Sequence, residues 1–136
     1  MPNFFNRTAQ LHYCQLTSIL TSDVAERQHI ILRRNVAPTL FFFIAIGLNR
    51  EVQDWLINEQ RSLKPARWLQ LVGWLMDQDV FLVYQRSKMA RFLMENGGLA
   101  ERYSARSISL ALSRPLPQDI EKGIKEAFCR YFCNGF

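Results

Sequence analysis

The segment ARWLQLVGWLM, residues 66–76, limits the fold of this chain more than any other stretch. At 100° per residue its apolar side chains cover well over half of the circumference of a helix. Pro65 comes immediately before it, at a position where proline favours the first turn of a helix. A helix that is apolar on so many sides needs several neighbours, so we expect it to be central in a helical core. Trp74 falls near its polar edge, beside Arg67 and Gln70.

The rest of the chain divides into segments of helical length between polar, glycine-containing or proline-containing breaks. The predicted helices cover about 7–20, 23–34, 38–61, 65–76, 86–96, 104–114 and 117–132. Asp23 and Glu26 have the spacing of a capping box, which predicts Asp23 as the N-cap of the second helix. The run LFFFIAIGL at 40–48 has a buried strand as its alternative, and VFLVY at 80–84 is either a short extended segment or the lead-in to the next helix.

These segments predict an all-α fold, a single compact domain of six to seven helices that spans residues 1–136. A chain of this length can bury roughly two thirds of its unfolded surface, which is enough for a substantial core. Hydrophobic residues make up 49% and charged residues 21%, a composition that argues against a disordered or coiled-coil protein. The chain has no internal repeat and no flexible linker, so we do not expect a second domain.

The longest apolar run, LFFFIAIGL, is too short to cross a membrane. As a helix its nine residues would span about 14 Å, whereas the hydrocarbon layer is about 30 Å thick. The N-terminal sequence has no secretory signal pattern, and the three cysteines are an odd number without framework spacing. We therefore expect a cytoplasmic protein that contacts no membrane.

Most of the net charge falls within residues 86–114, here called the basic corner. This segment has six basic and two acidic residues, giving +4 of the chain's +5. Residues 1–85 have eight basic and seven acidic residues, and residues 115–136 have three of each. Cations concentrated in this way are the electrostatic footprint of a polyanionic partner.

The basic corner is also predicted to contain two helices joined by a turn, as in a helix-turn-helix motif. Gly97 and Gly98 can end the first helix because glycine enters the left-handed conformation without a Cβ penalty. Ser104 is a favourable cap for the second helix. The turn from Asn96 to Tyr103 is longer than the standard turn of about 3 to 4 residues, so only an extended-turn variant fits.

The second helix of the basic corner has an outer face suited to the major groove of DNA. Arg106, Leu110 and Arg114 are predicted to point outward there, with serines beside them. Arginine can bind guanine or phosphate, serine can donate or accept, and an aliphatic tip can contact a thymine methyl group. Arg106 also lies in the first turn, where a cation opposes the helix dipole unless an anion is near. A phosphate would supply that anion, and so would Glu101.

Two functions, from different classes, follow from these patterns. The leading hypothesis is a small non-enzymatic regulator that binds duplex DNA as a dimer, since paired half-sites raise affinity. Its predicted DNA-binding residues are Lys88, Arg91, Arg102, Arg106, Ser107, Leu110 and Arg114. The alternative is a helical adaptor or inhibitor that binds another protein through this basic surface and exposed aromatic side chains. The aromatic candidates are Phe4, Phe5, Trp74, Phe132 and Phe136. A basic corner that is simply solvated, with no nucleic-acid partner, is the structural alternative to both.

No motif predicts an enzyme, a metal site or a cofactor. The sequence has no phosphate-cradling glycine loop, no nucleophile elbow and no HExxH motif. Cys129 and Cys133 could share a zinc ion with His12 and Cys14, but this combination is not a recognised zinc spacing. We expect reduced surface thiols instead. His12 and His29 lie in apolar surroundings and are expected to have a structural or surface role rather than a catalytic one.

Overall fold

The computed structural model describes residues 12–13, 15–16, 18–20, 22–28, 50–60, 62–78, 81 and 85–128, with only the backbone for 127–128. Six helices have defined bounds within these ranges, and the described residues between 12 and 19 are helical as well. The helices are α1 (Asp23–Arg27), α2 (Arg50–Leu56), α3 (Pro65–Asp77), α4 (Arg86–Asn96), α5 (Ala105–Ser113) and α6 (Gln118–Phe128). The predicted all-α fold is confirmed. An isolated antiparallel bridge joins Ile57 and Leu63, between α2 and α3.

Helix α3 is the central helix, as its apolar pattern predicts. Every residue from Trp68 to Met76 is buried. Gln70 and Trp74, which the helical pattern places near a polar edge, are buried with the rest because neighbouring elements pack on that side too. The Gln70 amide donates a hydrogen bond of 3.1 Å to the carbonyl oxygen of Pro115, which compensates for its removal from water.

Helix α5 lies very close to α3, and Gly73 makes this approach possible. A Cβ atom built at Gly73 would lie 1.8 Å from the carbonyl oxygen of Leu112 in α5. No side chain larger than hydrogen fits between the two backbones. The buried side of α5 consists of Ile108, Ala111 and Leu112.

Helix α4, the first helix of the basic corner, packs on the same core. Its buried residues are Met89, Ala90, Phe92 and Leu93. Arg86, at the start of α4, forms an ion pair with Asp77 at the end of α3, and its Nε donates to the carbonyl oxygen of Leu112 at 3.4 Å. Arg86 therefore joins three helices, and its charge is used within the fold.

A tight reversal connects α2 to α3. The backbone N–H of Lys64 donates to the carbonyl oxygen of Leu56 at 2.8 Å. The guanidinium of Arg67 lies over the ring of Trp55, 5.2 Å from its centroid, and donates a hydrogen bond to the carbonyl oxygen of the same residue. Cation and ring attract each other in this geometry, which fixes α2 against the first turn of α3.

The cap of α1 differs by one residue from the sequence prediction. The N-cap is Ser22, whose hydroxyl accepts from the backbone N–H of Ala25 at 3.2 Å, and Asp23 is the first helical residue. Serine and aspartate are both good caps, so the pattern alone could not separate neighbouring candidates. The predicted continuation to Arg34 and the run LFFFIAIGL lie outside the described residues. So does the segment 80–84, apart from Phe81, which is buried. In the ranges that are described, no helix has both the length and the apolar character of a membrane-spanning segment.

Candidate functional site

The two helices of the basic corner are joined by residues 97–104 and pack against each other. Gly98 has a φ of +69°, in the left-handed region, whereas Gly97 has a φ of −93°. One glycine of the predicted pair therefore takes the special conformation and the other does not. Leu99 is buried, which anchors this long turn to the core.

Helix α5 begins with a capping box made by two serines. The backbone N–H of Ser107 donates to the Ser104 hydroxyl at 3.1 Å, and the backbone N–H of Ser104 donates to the Ser107 hydroxyl at 2.9 Å. The Ser107 hydroxyl in turn donates to the carbonyl oxygen of Ser104 at 2.9 Å. This hydroxyl is already engaged at both its donor and an acceptor position, so Ser107 positions the first turn of α5. Its DNA contact stays a prediction.

The outer face of α5 is exposed to solvent as predicted. Arg106, Leu110 and Arg114 are all exposed, and Leu110 is 60% accessible. No other large hydrophobic side chain in the described part of the chain is exposed. Arg114 follows the last helical residue and has extended backbone angles, so it stands at the end of the face rather than within the helix.

Five cations of the basic corner are exposed, and their charged groups have no partner among the described residues. None of them forms an ion pair or a side-chain hydrogen bond within the described residues. They are Lys88, Arg91, Arg102, Arg106 and Arg114. Elsewhere in these ranges some cations pair, as Lys125 does with Glu121 at 3.2 Å, whereas the exposed Arg27 and Lys122 form no ion pair with a described residue. The basic corner thus holds more of these exposed cations than the rest of the described ranges.

Glu101 does not neutralise Arg106. The described residues contain no ion pair between the two, and the first turn of α5 has no acidic residue. The guanidinium of Arg106 thus adds to the positive end of the α5 dipole. The sequence suggested two anions as partners of Arg106. Glu101 does not pair with it, and an external phosphate stays a prediction.

A hollow of about 250 Å³ lies between α4 and α5, here called the α4–α5 hollow. Its lining residues are Ser87, Arg91, Ala105, Arg106, Ser109 and Leu110. Arg91 and Arg106 thus meet the same concavity from different helices. A negatively charged group entering it would meet two cations, and none of the described lining residues is acidic.

A second hollow, of about 370 Å³, adjoins the first and is here called the α1–α4 hollow. Ser87 and Arg91 line both hollows. The other residues that line the second are Gln28, Gln85, Lys88 and Phe92. Gln28 follows α1 and was not among the predicted site residues, because nothing in the sequence indicates that α1 ends beside α4.

The remaining candidates from the sequence are the metal ligands and the aromatic side chains. Within the described ranges, no three His, Cys, Asp or Glu side chains come together as a metal site needs. The residues of the zinc hypothesis that lie outside the described ranges are Cys14, Cys129 and Cys133. Trp74 is buried and is thus removed as an exposed aromatic contact. The other aromatic candidates, Phe4, Phe5, Phe132 and Phe136, lie outside the described ranges.

Exposure, unpaired positive charge and concavity therefore coincide on the solvent side of α4 and α5. Guanidinium and ammonium groups arranged in this way can donate charge-assisted hydrogen bonds to phosphate or carboxylate oxygens. No family model, no curated protein and no solved structure matches this chain.

Proposed function

We propose that the protein is a small non-enzymatic regulator that binds duplex DNA through the basic corner. The observation that carries this proposal is the set of five exposed, unpaired cations, three of which line two adjoining hollows. Each cation that neutralises a phosphate releases a condensed counterion, which favours binding to DNA. Cations without protein partners do not have to break an ion pair first.

The positions of these residues suggest separate roles. Arg106 lies in the first turn of α5 and Leu110 follows one turn later, and recognition helices contact base edges through their N-terminal residues. Lys88 and Arg91 face the adjoining hollow on α4, which suits contacts to the sugar–phosphate backbone. Arg114 follows the last residue of α5 and would contact DNA further along the groove.

The fold supports a rigid presentation of this face. A helix of nine residues has little stability by itself, so α5 depends on its capping box and on its packing against α3 and α4. Side chains held on a fixed element lose less conformational freedom on binding than those on a mobile loop. We expect two chains to occupy neighbouring half-sites, because one such corner gives limited affinity.

The test is the salt dependence of binding by the full chain to a random-sequence duplex, followed by fluorescence anisotropy. If all five cations contact phosphates, log K per bound chain should fall with log salt concentration at a slope of about −4 to −5. Arg91→Gln and Lys88→Gln should each reduce the magnitude of this slope by about one. Lys122→Gln is the control, because it removes an exposed cation of α6 that lines a hollow with acidic neighbours.

The absence of binding at low ionic strength would refute the proposal. An equal loss of affinity in the Lys122→Gln control would do so as well, because it would show dependence on net charge alone. Arg106→Gln should also weaken binding to a preferred sequence more than to random duplex, if this side chain contacts a base edge.

The exposure of Leu110 favours the adaptor as the second candidate. A leucine with arginines around it has the character of a protein interface, in which an apolar centre is enclosed by a polar rim. Leu110→Asn separates the two functions. It should leave random-duplex affinity almost unchanged, since that affinity comes from phosphates, but it should weaken an interface with a protein that buries the leucine.

A further inference from the structure

We infer that the α1–α4 hollow is a phosphate-binding site, and that Gln28 from outside the basic corner contributes to it. The inference deepens the proposed function, because a backbone phosphate of bound DNA is one source of the ligand. A free phosphate ester is the other source. The shared chemistry is a phosphate group whose oxygens accept several hydrogen bonds at once.

The charged side chains of the hollow suit this ligand. Lys88 and Arg91 are three residues apart on α4, so their Cβ atoms lie about 5–6 Å apart on the same side of the helix. Arginine can donate two parallel hydrogen bonds to phosphate oxygens, while lysine supplies a compact point charge. Neither side chain has a counterion in the described part of the structure, so an incoming phosphate displaces no described carboxylate.

The neutral side chains of the hollow add hydrogen-bond donors. Ser87 can donate through its hydroxyl, and Gln28 and Gln85 can donate through their amide groups. None of these three side chains makes a hydrogen bond to another described residue. Gln28 is the informative member of the three, since it follows α1 and so comes from a different part of the chain from α4.

The size of the hollow favours a phosphate that carries a sugar. About 370 Å³ falls in the range of small-molecule sites, which is about 300–1,000 Å³. Arg91 also lines the α4–α5 hollow, where Arg106 lies. A strand with one phosphate at Lys88 can therefore continue past Arg91 towards Arg106, and the two hollows can hold consecutive parts of one backbone.

The experiment is a titration of the ¹⁵N-labelled full chain with thymidine 3′,5′-bisphosphate, against sodium chloride of equal ionic strength. We expect amide shifts at residues 85–92 and in the side-chain amide of Gln28. Lys88→Gln and Arg91→Gln should each raise the dissociation constant about tenfold, as the loss of a charge-assisted contact predicts. Gln28→Ala should raise it about two- to tenfold, and Lys122→Gln should leave it unchanged.

The same variants are then compared in duplex binding, which separates this inference from the proposed function. If duplex DNA binds but the bisphosphate causes no shifts beyond those of chloride, the phosphate site is refuted and DNA binding survives. If the bisphosphate binds in the hollow but duplex DNA does not bind, the site stands as one for a free phosphate ester and the DNA proposal fails. If Gln28→Ala changes neither affinity, the role of Gln28 is refuted.

Discussion

At Gly73 the absence of a side chain decides how closely α5 approaches α3. We predict that Gly73→Ala lowers the free energy of unfolding by about 1–3 kcal/mol, because the added Cβ forces the Leu112 carbonyl away. The direction of this change is informative, because replacing glycine with alanine in a helix interior would otherwise raise the free energy of unfolding by roughly 0.5–1 kcal/mol. Urea denaturation measures the change, and a more stable variant would contradict the packing described for these two helices.

Gly98 is a second glycine at which a substitution should destabilise the fold, but for a different reason. A Cβ atom there would have nothing within 4 Å, but its φ of +69° disfavours residues other than glycine. Gly98→Ala should therefore cost roughly 1–2 kcal/mol through backbone strain alone. Gly98→Asn should recover part of this loss because asparagine tolerates the left-handed conformation, whereas Gly73→Asn should be worse than Gly73→Ala.

Residue patterns predicted the exposure of Arg106, Leu110 and Arg114 correctly, because helical periodicity alone determines which residues share a face. The same periodicity was insufficient for Gln70 and Trp74. Their burial depends on how many elements surround α3, and the sequence of one helix does not indicate which elements pack around it.

At the scale of elements, the capping box determines where α5 begins and therefore where Arg106 is held. Ser104→Ala should lower the free energy of unfolding by about 1 kcal/mol, the usual cost of losing a serine cap. Ser113→Ala is the control, because that hydroxyl only donates to the Ser109 carbonyl oxygen within the same helix. The midpoint of urea denaturation measures the stability of each variant, provided that the slope of the transition is unchanged. Equal shifts of the midpoint in the two variants would contradict a special role for the cap.

The cap should also affect binding to duplex DNA, because fraying of the first turn moves Arg106. We expect Ser104→Ala to weaken binding less in an Arg106→Gln background than in the natural chain. Anisotropy titrations of the two single variants and the double variant give this coupling. Additive effects would show that the cap and Arg106 act independently.

The elements themselves were largely predictable, since proline, glycine and serine mark the ends of α3, α4 and α5. The basic corner followed from charge counting along a continuous segment. The α1–α4 hollow could not be predicted in this way. Gln28 lies far before α4 in the chain, and only the packing of the helices brings it beside α4. Likewise, the pairing of Arg86 with Asp77 changes which cations are free, and no local pattern indicates it.

For the whole molecule, the contacts around α3 predict that the helices unfold together. Gly73 meets α5 directly, the Gln70 amide reaches Pro115 beyond α5, and Arg86 joins the ends of three helices. A basic corner attached in this way cannot separate from α3 without exposing buried side chains. We therefore expect a single cooperative transition, as in most domains of this size.

The positions of the tryptophans make this expectation measurable. The three tryptophans of the chain lie in α2 and α3, whereas far-UV circular dichroism reports all helices, including α4 and α5. In urea the fluorescence and dichroism transitions should coincide, with a slope of about 1–3 kcal/mol per molar. Gly73→Ala should move both midpoints equally, because the contact that it disrupts joins α3, which contains two of the tryptophans, to α5 in the basic corner. A loss of helical signal before any change in fluorescence would show that the basic corner unfolds alone, and that α3 does not unite the described helices in one domain.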